Sequence, residues 1–232
     1  MLNRIKHEQI LKSILKDIYL NPYLQANLAF KGGTCLYMFY GLERFSIDLD
    51  FNLLSNNFDS SLVQHIVNKY VSVEEVSNKH FTWLWIGSYE KGKQKVKIEI
   101  SKRDYPDKYI NKDFYGLTIP TMHPSYMFTH KLCAITDRKK LQMRDLFDTN
   151  FMFSKGFEIN EDIIRIRMNK SVKDYLNILI KFIEDRKDKI NVLDGLGELV
   201  SNSQKDKIKS TLLKDILANM HIYSSGLSKT KS

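Results

Sequence analysis

The stretch at residues 45–51 leaves the chain little choice of local structure. Phe45, Ile47, Leu49 and Phe51 alternate strictly with Ser46, Asp48 and Asp50. A period of two fits a β-strand with one face on a core. Asp is disfavoured in strands, yet this strand carries two on its polar face. Asp48 and Asp50 therefore project side by side, away from Ile47 and Leu49. Carboxylates held this close repel each other unless a cation sits between them. Upstream, the apolar run Leu28-Ala29-Phe30 reads as a strand leading into Gly32-Gly33. Thr34 is placed to cap a helix through Tyr40, with Gly41 to end it.

A hard divalent ion such as magnesium would relieve the repulsion between the acids. The Gly32-Gly33-Thr34 turn would bring backbone N–H groups to a phosphate. Together they suit a metal-bound nucleoside triphosphate. The competing reading is a pair of solvated acids on an exposed strand, matched by Arg44 or a lysine. A calcium-binding EF-hand is excluded. Asp48, Asp50 and Asn52 mimic its first ligands, but Leu53 stands where that loop needs glycine.

The alternation recurs at residues 95–101. Val96, Ile98 and Ile100 face one way; Lys97, Glu99 and Ser101 face the other. If this strand lies beside the aspartate strand, Glu99 joins Asp48 and Asp50. Three carboxylates around one or two magnesium ions suit phosphoryl or nucleotidyl transfer. An exposed Lys97–Glu99 ion pair accounts for the same residues equally well. Strands are expected at 81–89 and 95–101 around a hairpin loop at 90–93, with a further strand at 114–119.

Elsewhere the pattern is helical. Residues 4–20 form an amphipathic helix that Asn21-Pro22 stops. A second helix is expected from a cap at 59–61 to about residue 76. After Pro124, helices are expected near 125–136, 142–153, 160–168, 172–187 and 205–220. The chain thus reads as α+β in its first half and all-α in its second. The expected division is an α/β domain at 1–122, a helical domain at 123–223 that closes the cleft, and a small, polar, flexible tail at 224–232. In the helical half, Lys131 would act as a point charge for phosphate oxygens. Arg138-Lys139-Lys140 would meet RNA phosphates. Asp145 and Asp148 share a helix side, and Arg144 lies four residues before Asp148. Routine surface ion pairs explain that cluster too.

Composition narrows the partners. Against 27 acidic residues stand 36 basic ones, a formal charge of +9. That balance suits a polyanion such as RNA, and an NTP as well. Neither Cys35 nor Cys133 belongs to a Cys-x-x-Cys motif, and the six histidines lack zinc-ligand spacing. A disulfide scaffold and a zinc module are thereby excluded. No segment is apolar for long enough to span a bilayer and no secretory stretch opens the chain, so a cytoplasmic protein without membrane contact is expected.

Gly32-Gly33-Thr34, Ser46-x-Asp48-x-Asp50, Lys97-x-Glu99, Lys131 and Arg144-Asp145-x-x-Asp148 occur in this order. The set resembles the AbiEii/AbiGii-like nucleotidyltransferase family, toxins of type IV toxin–antitoxin and abortive-infection systems that include the MenT toxins. The resemblance covers roughly residues 28–153. It implies a fold of the DNA polymerase β type: a mixed sheet with flanking helices, then a C-terminal helical bundle. The implied reaction moves a nucleotide from an NTP to an acceptor, most often the 3′ end of tRNA, with magnesium (or manganese) as cofactor. An antitoxin would be the protein partner. Carried onto this chain, the resemblance implies metal ligands at Asp48, Asp50 and Glu99. Nucleotide contacts would come from Gly32, Gly33, Thr34, Ser46, Lys97, Lys131 and Arg144. Catalytic roles would fall to Asp48, Asp50, Lys131, Asp145 and Asp148. The chain departs from many members in carrying Glu99 where they have Asp. Two other classes remain open at this level: an NTP-binding regulatory module, and nucleotidylation of a protein or small-molecule hydroxyl.

Overall fold

A computed structural model describes residues 3–55, 57–90 and 94–229. The chain divides into two compact units, Met1–His123 and Pro124–Ser232. The first contains, in order, α1 (Arg4–Leu20), α2 (Pro22–Asn27), β1 (Leu28–Lys31), α3 (Gly32–Tyr40), β2 (Asp48–Leu53), α4 (Ser61–Asn68), β3 (Ser72–Lys79), β4 (Thr82–Ser88), β5 (Lys95–Ser101), β6 (Tyr109–Phe114) and β7 (Leu117–Met122). Among the described residues these strands form one seven-stranded mixed sheet in the order β3-β4-β5-β2-β1-β7-β6.

The period of two in the sequence becomes two faces of that sheet. Leu28 and Phe30 of β1, Leu49 and Phe51 of β2, and Ile98 and Ile100 of β5 are fully buried on one face. Register aligns them: Phe30 lies opposite Phe51, Leu49 opposite Ile98, and Phe51 opposite Ile100. Helix α1 contributes Ile14, Leu15 and Ile18 to the core. Its Tyr19 hydroxyl donates to the Leu28 carbonyl at 3.2 Å. The other face of the same three strands carries Lys31, Asp48, Asp50, Lys97 and Glu99.

Two strands escape a hydrophobic reading. The helix expected to reach residue 76 stops at Asn68, and β3 follows. Strand β6 lies mostly ahead of the strand expected at 114–119, which is β7 shifted toward Met122. Both β3 and β6 are sheet edges. An edge in water needs no apolar alternation, and charge there discourages pairing with other chains. The β6–β7 turn is Tyr115-Gly116, both with positive φ (53° and 80°), the geometry of a tight primed hairpin. The usual Asn-Gly or Asp-Gly signal is missing because Tyr115 takes the first position. Strand β2 begins at Asp48, later than the alternation from Phe45 suggests. From residue 91 to 93, the expected hairpin loop lies outside the described residues.

The second unit is helical: α5 (Pro124–Asp137), α6 (Met143–Ser154), α7 (Glu161–Met168), α8 (Val172–Glu184) and α9 (Asn202–Lys229). Leu212, Ile216 and Met220 fall four residues apart on α9 and are buried, and α9 packs on α6 and α8. The segment expected as a loose tail from Ser224 is helical as far as Lys229; residues 230–232 lie outside the described residues. A mixed sheet with helices followed by a helical bundle is the α+β architecture expected. No described helix is long and apolar enough to cross a membrane.

If the β1–β2–β5 ladder holds the first unit together, Leu49→Ala will lower its unfolding free energy by about 2–5 kcal/mol. Val76→Ala, at an exposed position of β3, will change it by no more than about 0.5 kcal/mol. Denaturant titration of the two variants checks both values.

Candidate active site

Strand pairing sets the polar residues on a grid. Antiparallel register puts Lys31 of β1 opposite Asp50 of β2. Parallel register puts Asp48 beside Lys97 and Asp50 beside Glu99 of β5. Opposed residues share a face. One row therefore reads Lys31, Asp50, Glu99, and the next Asp48, Lys97. Neighbouring strands lie about 4.8 Å apart, so the three carboxylates and two ammonium groups crowd one patch. Asp48 and Asp50 are both half-buried.

Helix α3 starts directly from β1, and its first residues fit tightly against this patch. Gly32 has φ +83°, and a Cβ there would collide with the Asp50 carboxylate. A Cβ on Gly33 would come within 2.7 Å of Arg44 Nη2 and 2.9 Å of Ser46 Oγ. Both glycines are thus required by close approach, and they bring the helix N-terminus to Asp50, Arg44 and Ser46. The Thr34 side chain is fully buried. Its hydroxyl contacts the Asp48 carbonyl and lies 2.9 Å from Ser46 Oγ. It ties α3 to β2, which leaves its backbone N–H as the group it offers a ligand. Arg44 is 3% exposed and donates to the Phe45 carbonyl at 3.0 Å.

Charge on the patch is unevenly satisfied. Burial, then the charges of Asp48 and Glu99, push the Asp50 carboxyl up to about 6, against the partial relief of Lys97 and Lys31. Glu99 differs. Burial alone would raise its pKa, but Lys97 holds it below the usual range, through an ion pair at 2.7 Å. Lys97 is raised in turn: burial opposes its charge, and Glu99, Asp50 and Asp48 outweigh that. Burial lowers Lys31, which Asp50, Glu99 and Asp107 counter. A patch with three acids to two lysines, and one acid reluctant to ionise, fits a divalent cation with oxygen ligands. Asp48 and Asp50 are the residues that would hold it. Glu99 stands on the correct face beside Asp50, but its carboxylate is committed to Lys97. Among the described residues, no three His, Cys, Asp or Glu side chains close into a metal cage.

Lys31, Arg103, Asp107 and Asn52 belong to this environment and carry no motif. Asn52 donates to Asp107 Oδ2 and Tyr109 Oη, each at 3.0 Å. Lys31 was legible in one respect: it is the charged residue between an apolar strand and the glycines. Arg103 and Asp107 come from the β5–β6 connection, which has no periodicity to read. His7, fully buried on α1, lies with Nε2 3.0 Å from the Ile47 carbonyl, just before Asp48.

In the second unit, α5 and α6 bring Lys131, Asp145 and Asp148 together. Lys131 Nζ lies 2.6 Å from Asp148 Oδ2 and 3.6 Å from Asp145 Oδ1. Arg138 Nε approaches Asp145 Oδ2 to 2.8 Å. Asp148 is fully buried and Asp145 is 4% exposed. Spacing of three on a helix puts both acids on one side, as the sequence implied. This is a buried ion cluster rather than a set of routine surface pairs. Lys139 and Lys140 are exposed, Lys140 pairing with Asp194 at 2.9 Å. Arg144 is half-buried at the start of α6.

Two outcomes test these assignments. Asp50 binds its proton more tightly folded than unfolded. Stability contributed by that proton is therefore present near pH 4 and is lost as pH rises through about 6. Asp50→Asn will flatten that fall in urea titrations run between pH 4 and 7. In the second unit, Lys131→Met removes the cation 2.6 Å from the fully buried Asp148, leaves Asp145 with Arg138, and will cost about 3–5 kcal/mol of stability. Lys131→Met combined with Asp148→Asn and Asp145→Asn will recover part of it, measured by thermal denaturation.

Comparison with known proteins bears on the fold and the family. Among curated proteins, no sequence matches the chain. A candidate nucleotidyltransferase from H. pylori superposes with a TM-score of 0.65 at 21% identity, covering 99% of this chain and 98% of that one. The Helicobacter pylori protein JHP933 gives 0.57 at 22% identity, over 100% and 99%. MenT4, a nucleotidyltransferase toxin of Mycobacterium tuberculosis H37Rv, gives 0.47 at 19% identity, over 97% and 94%. At these identities the two Helicobacter likenesses carry the fold. Residues 13–218 match the family described as nucleotidyl transferase AbiEii toxin, type IV TA system. The chain belongs to that family of nucleotidyltransferase toxins.

Proposed function

We propose that this protein transfers a nucleotide from an NTP to the 3′ end of tRNA, in the cytoplasm and with magnesium, under restraint by a cognate antitoxin. The observation that carries this reading is the contact of Gly32 with Asp50, which joins the first turn of α3 to the carboxylate patch. Asp48 and Asp50 hold the metal, which supplies charge neutralisation at the triphosphate and acidifies the attacking hydroxyl. Backbone N–H groups of Gly33 and Thr34 receive phosphate oxygens at the positive end of the helix. Ser46, held by Thr34 beside Gly33, orients a further oxygen. In the reaction the acceptor hydroxyl oxygen bonds to the α-phosphorus and its proton passes to solvent, while the bond from the α-phosphorus to the β-phosphate oxygen breaks to release pyrophosphate. Lys131, Arg144, Asp145 and Asp148 form a second functional element, in which Lys131 serves phosphate oxygens. The formal charge of +9 favours a nucleic-acid acceptor over a protein one.

The test is incubation with each labelled NTP, magnesium, and either total tRNA or total cellular protein. Label is expected in a tRNA-sized band. Loss of a metal contribution of several kcal/mol corresponds to about a thousandfold drop in rate, so Asp48→Ala will reduce the label to background. Label confined to protein overturns the acceptor. Label undiminished in Asp48→Ala overturns the metal assignment.

A further inference from the structure

We infer that the patch works with a single divalent ion, and that the Lys97 ammonium fills the place of a second. The inference rests on the proposed metal role of Asp48 and Asp50 and goes beyond it. A two-ion site needs a bridging set of carboxylates so that two ions sit about 3.5–4 Å apart. On this sheet the third carboxylate is the one that would complete the set. Glu99 lies beside Asp50 in register, but its carboxylate meets Lys97 Nζ at 2.7 Å. Lys97 stands beside Asp48 in the same ladder, so its side chain shares the face with all three acids. It interacts electrostatically with each of them. An ammonium among three carboxylates does there what a second cation would do for their mutual repulsion. The longer arm of glutamate fits this arrangement, because it reaches along the strand from the Asp50 row to Lys97. Consistent with this, the described acids do not close into a three-ligand cage.

Lys97 is therefore a positioning residue: it holds Glu99 away from the metal and leaves Asp48 and Asp50 to bind it. The experiment titrates the full chain with Mn2+ in the presence of inorganic triphosphate. Mn2+ retained per chain is counted by equilibrium dialysis, and its environment is read by electron paramagnetic resonance. One Mn2+ per chain, with the spectrum of an isolated ion, is expected for the wild type, Glu99→Gln and Lys97→Arg. Lys97→Met releases Glu99 and is expected to retain about two. Two exchange-coupled ions in the wild type overturn the inference, as does loss of Mn2+ from Glu99→Gln. A folded Lys97→Met that still retains one ion overturns it as well. Should Lys97→Met fail to fold, the wild type and Glu99→Gln still decide. An Asp48→Asn variant separates this from the reading beneath it. Undiminished Mn2+ there removes the metal from Asp48 altogether, whatever the count in the wild type.

Discussion

Charge repulsion between carboxylates on one sheet face is the constraint from which the rest of the first unit follows. Strand β2 puts Asp48 and Asp50 on the side opposite Leu49 and Phe51, so the acids cannot turn away without exposing the core. The flanking strands respond with cations in register: Lys31 on one side and Lys97 on the other. Even so, the Asp50 carboxyl remains pushed up to about 6.

The glycines are the other half of that arrangement. Gly32 is needed for a positive φ and for the approach of Asp50; Gly33 is needed for the approach of Arg44 and Ser46. Sequence alone marks them as a turn. Only the packing explains why both are needed: Gly32 meets Asp50, and Gly33 meets Arg44 and Ser46. Thr34 completes the joint from inside, with its hydroxyl turned to the Asp48 carbonyl and Ser46. A residue that reads as a ligand contact from its motif thus acts in the fold as a rivet between the helix and the acid strand.

What the sequence conveys well is whatever obeys a period. The alternations at 45–51 and 95–101 marked strands β2 and β5 and their faces, because one-sided burial writes itself into every second residue; that Glu99 lies beside Asp50 comes from the pairing of the two strands. The amphipathic helices α1 and α8 are legible for the same reason. Strands β3 and β6 are not, since an edge in water carries polar residues on both faces. Arg103 and Asp107 are hidden for a different reason. They reach the patch from the β5–β6 connection, where neither period nor motif announces a direction. Arg44 was visible as a charge near the acids, but its burial against Gly33 depends on residues 44–47 leaving the strand geometry that their alternation suggested.

The two acidic clusters of this chain show how partner arithmetic separates a metal site from an internal ion pair. In the second unit, Asp148 has Lys131 at 2.6 Å, and Asp145 has both Lys131 and Arg138. Two acids meet two cations, and burial makes each pair costly to break. A divalent ion arriving there would first have to displace an ammonium from a buried carboxylate. In the first unit Asp48, Asp50 and Glu99 share Lys31 and Lys97, with Arg103 and Asp107 beside them, and Glu99 pairs with Lys97 at 2.7 Å. Asp48 and Asp50 lie half-buried on the same strand face. The same residue types at similar spacing therefore give opposite chemistry. One cluster is buried with its own cations, and the other crowds three carboxylates on one sheet face, the arrangement on which the proposed metal role rests.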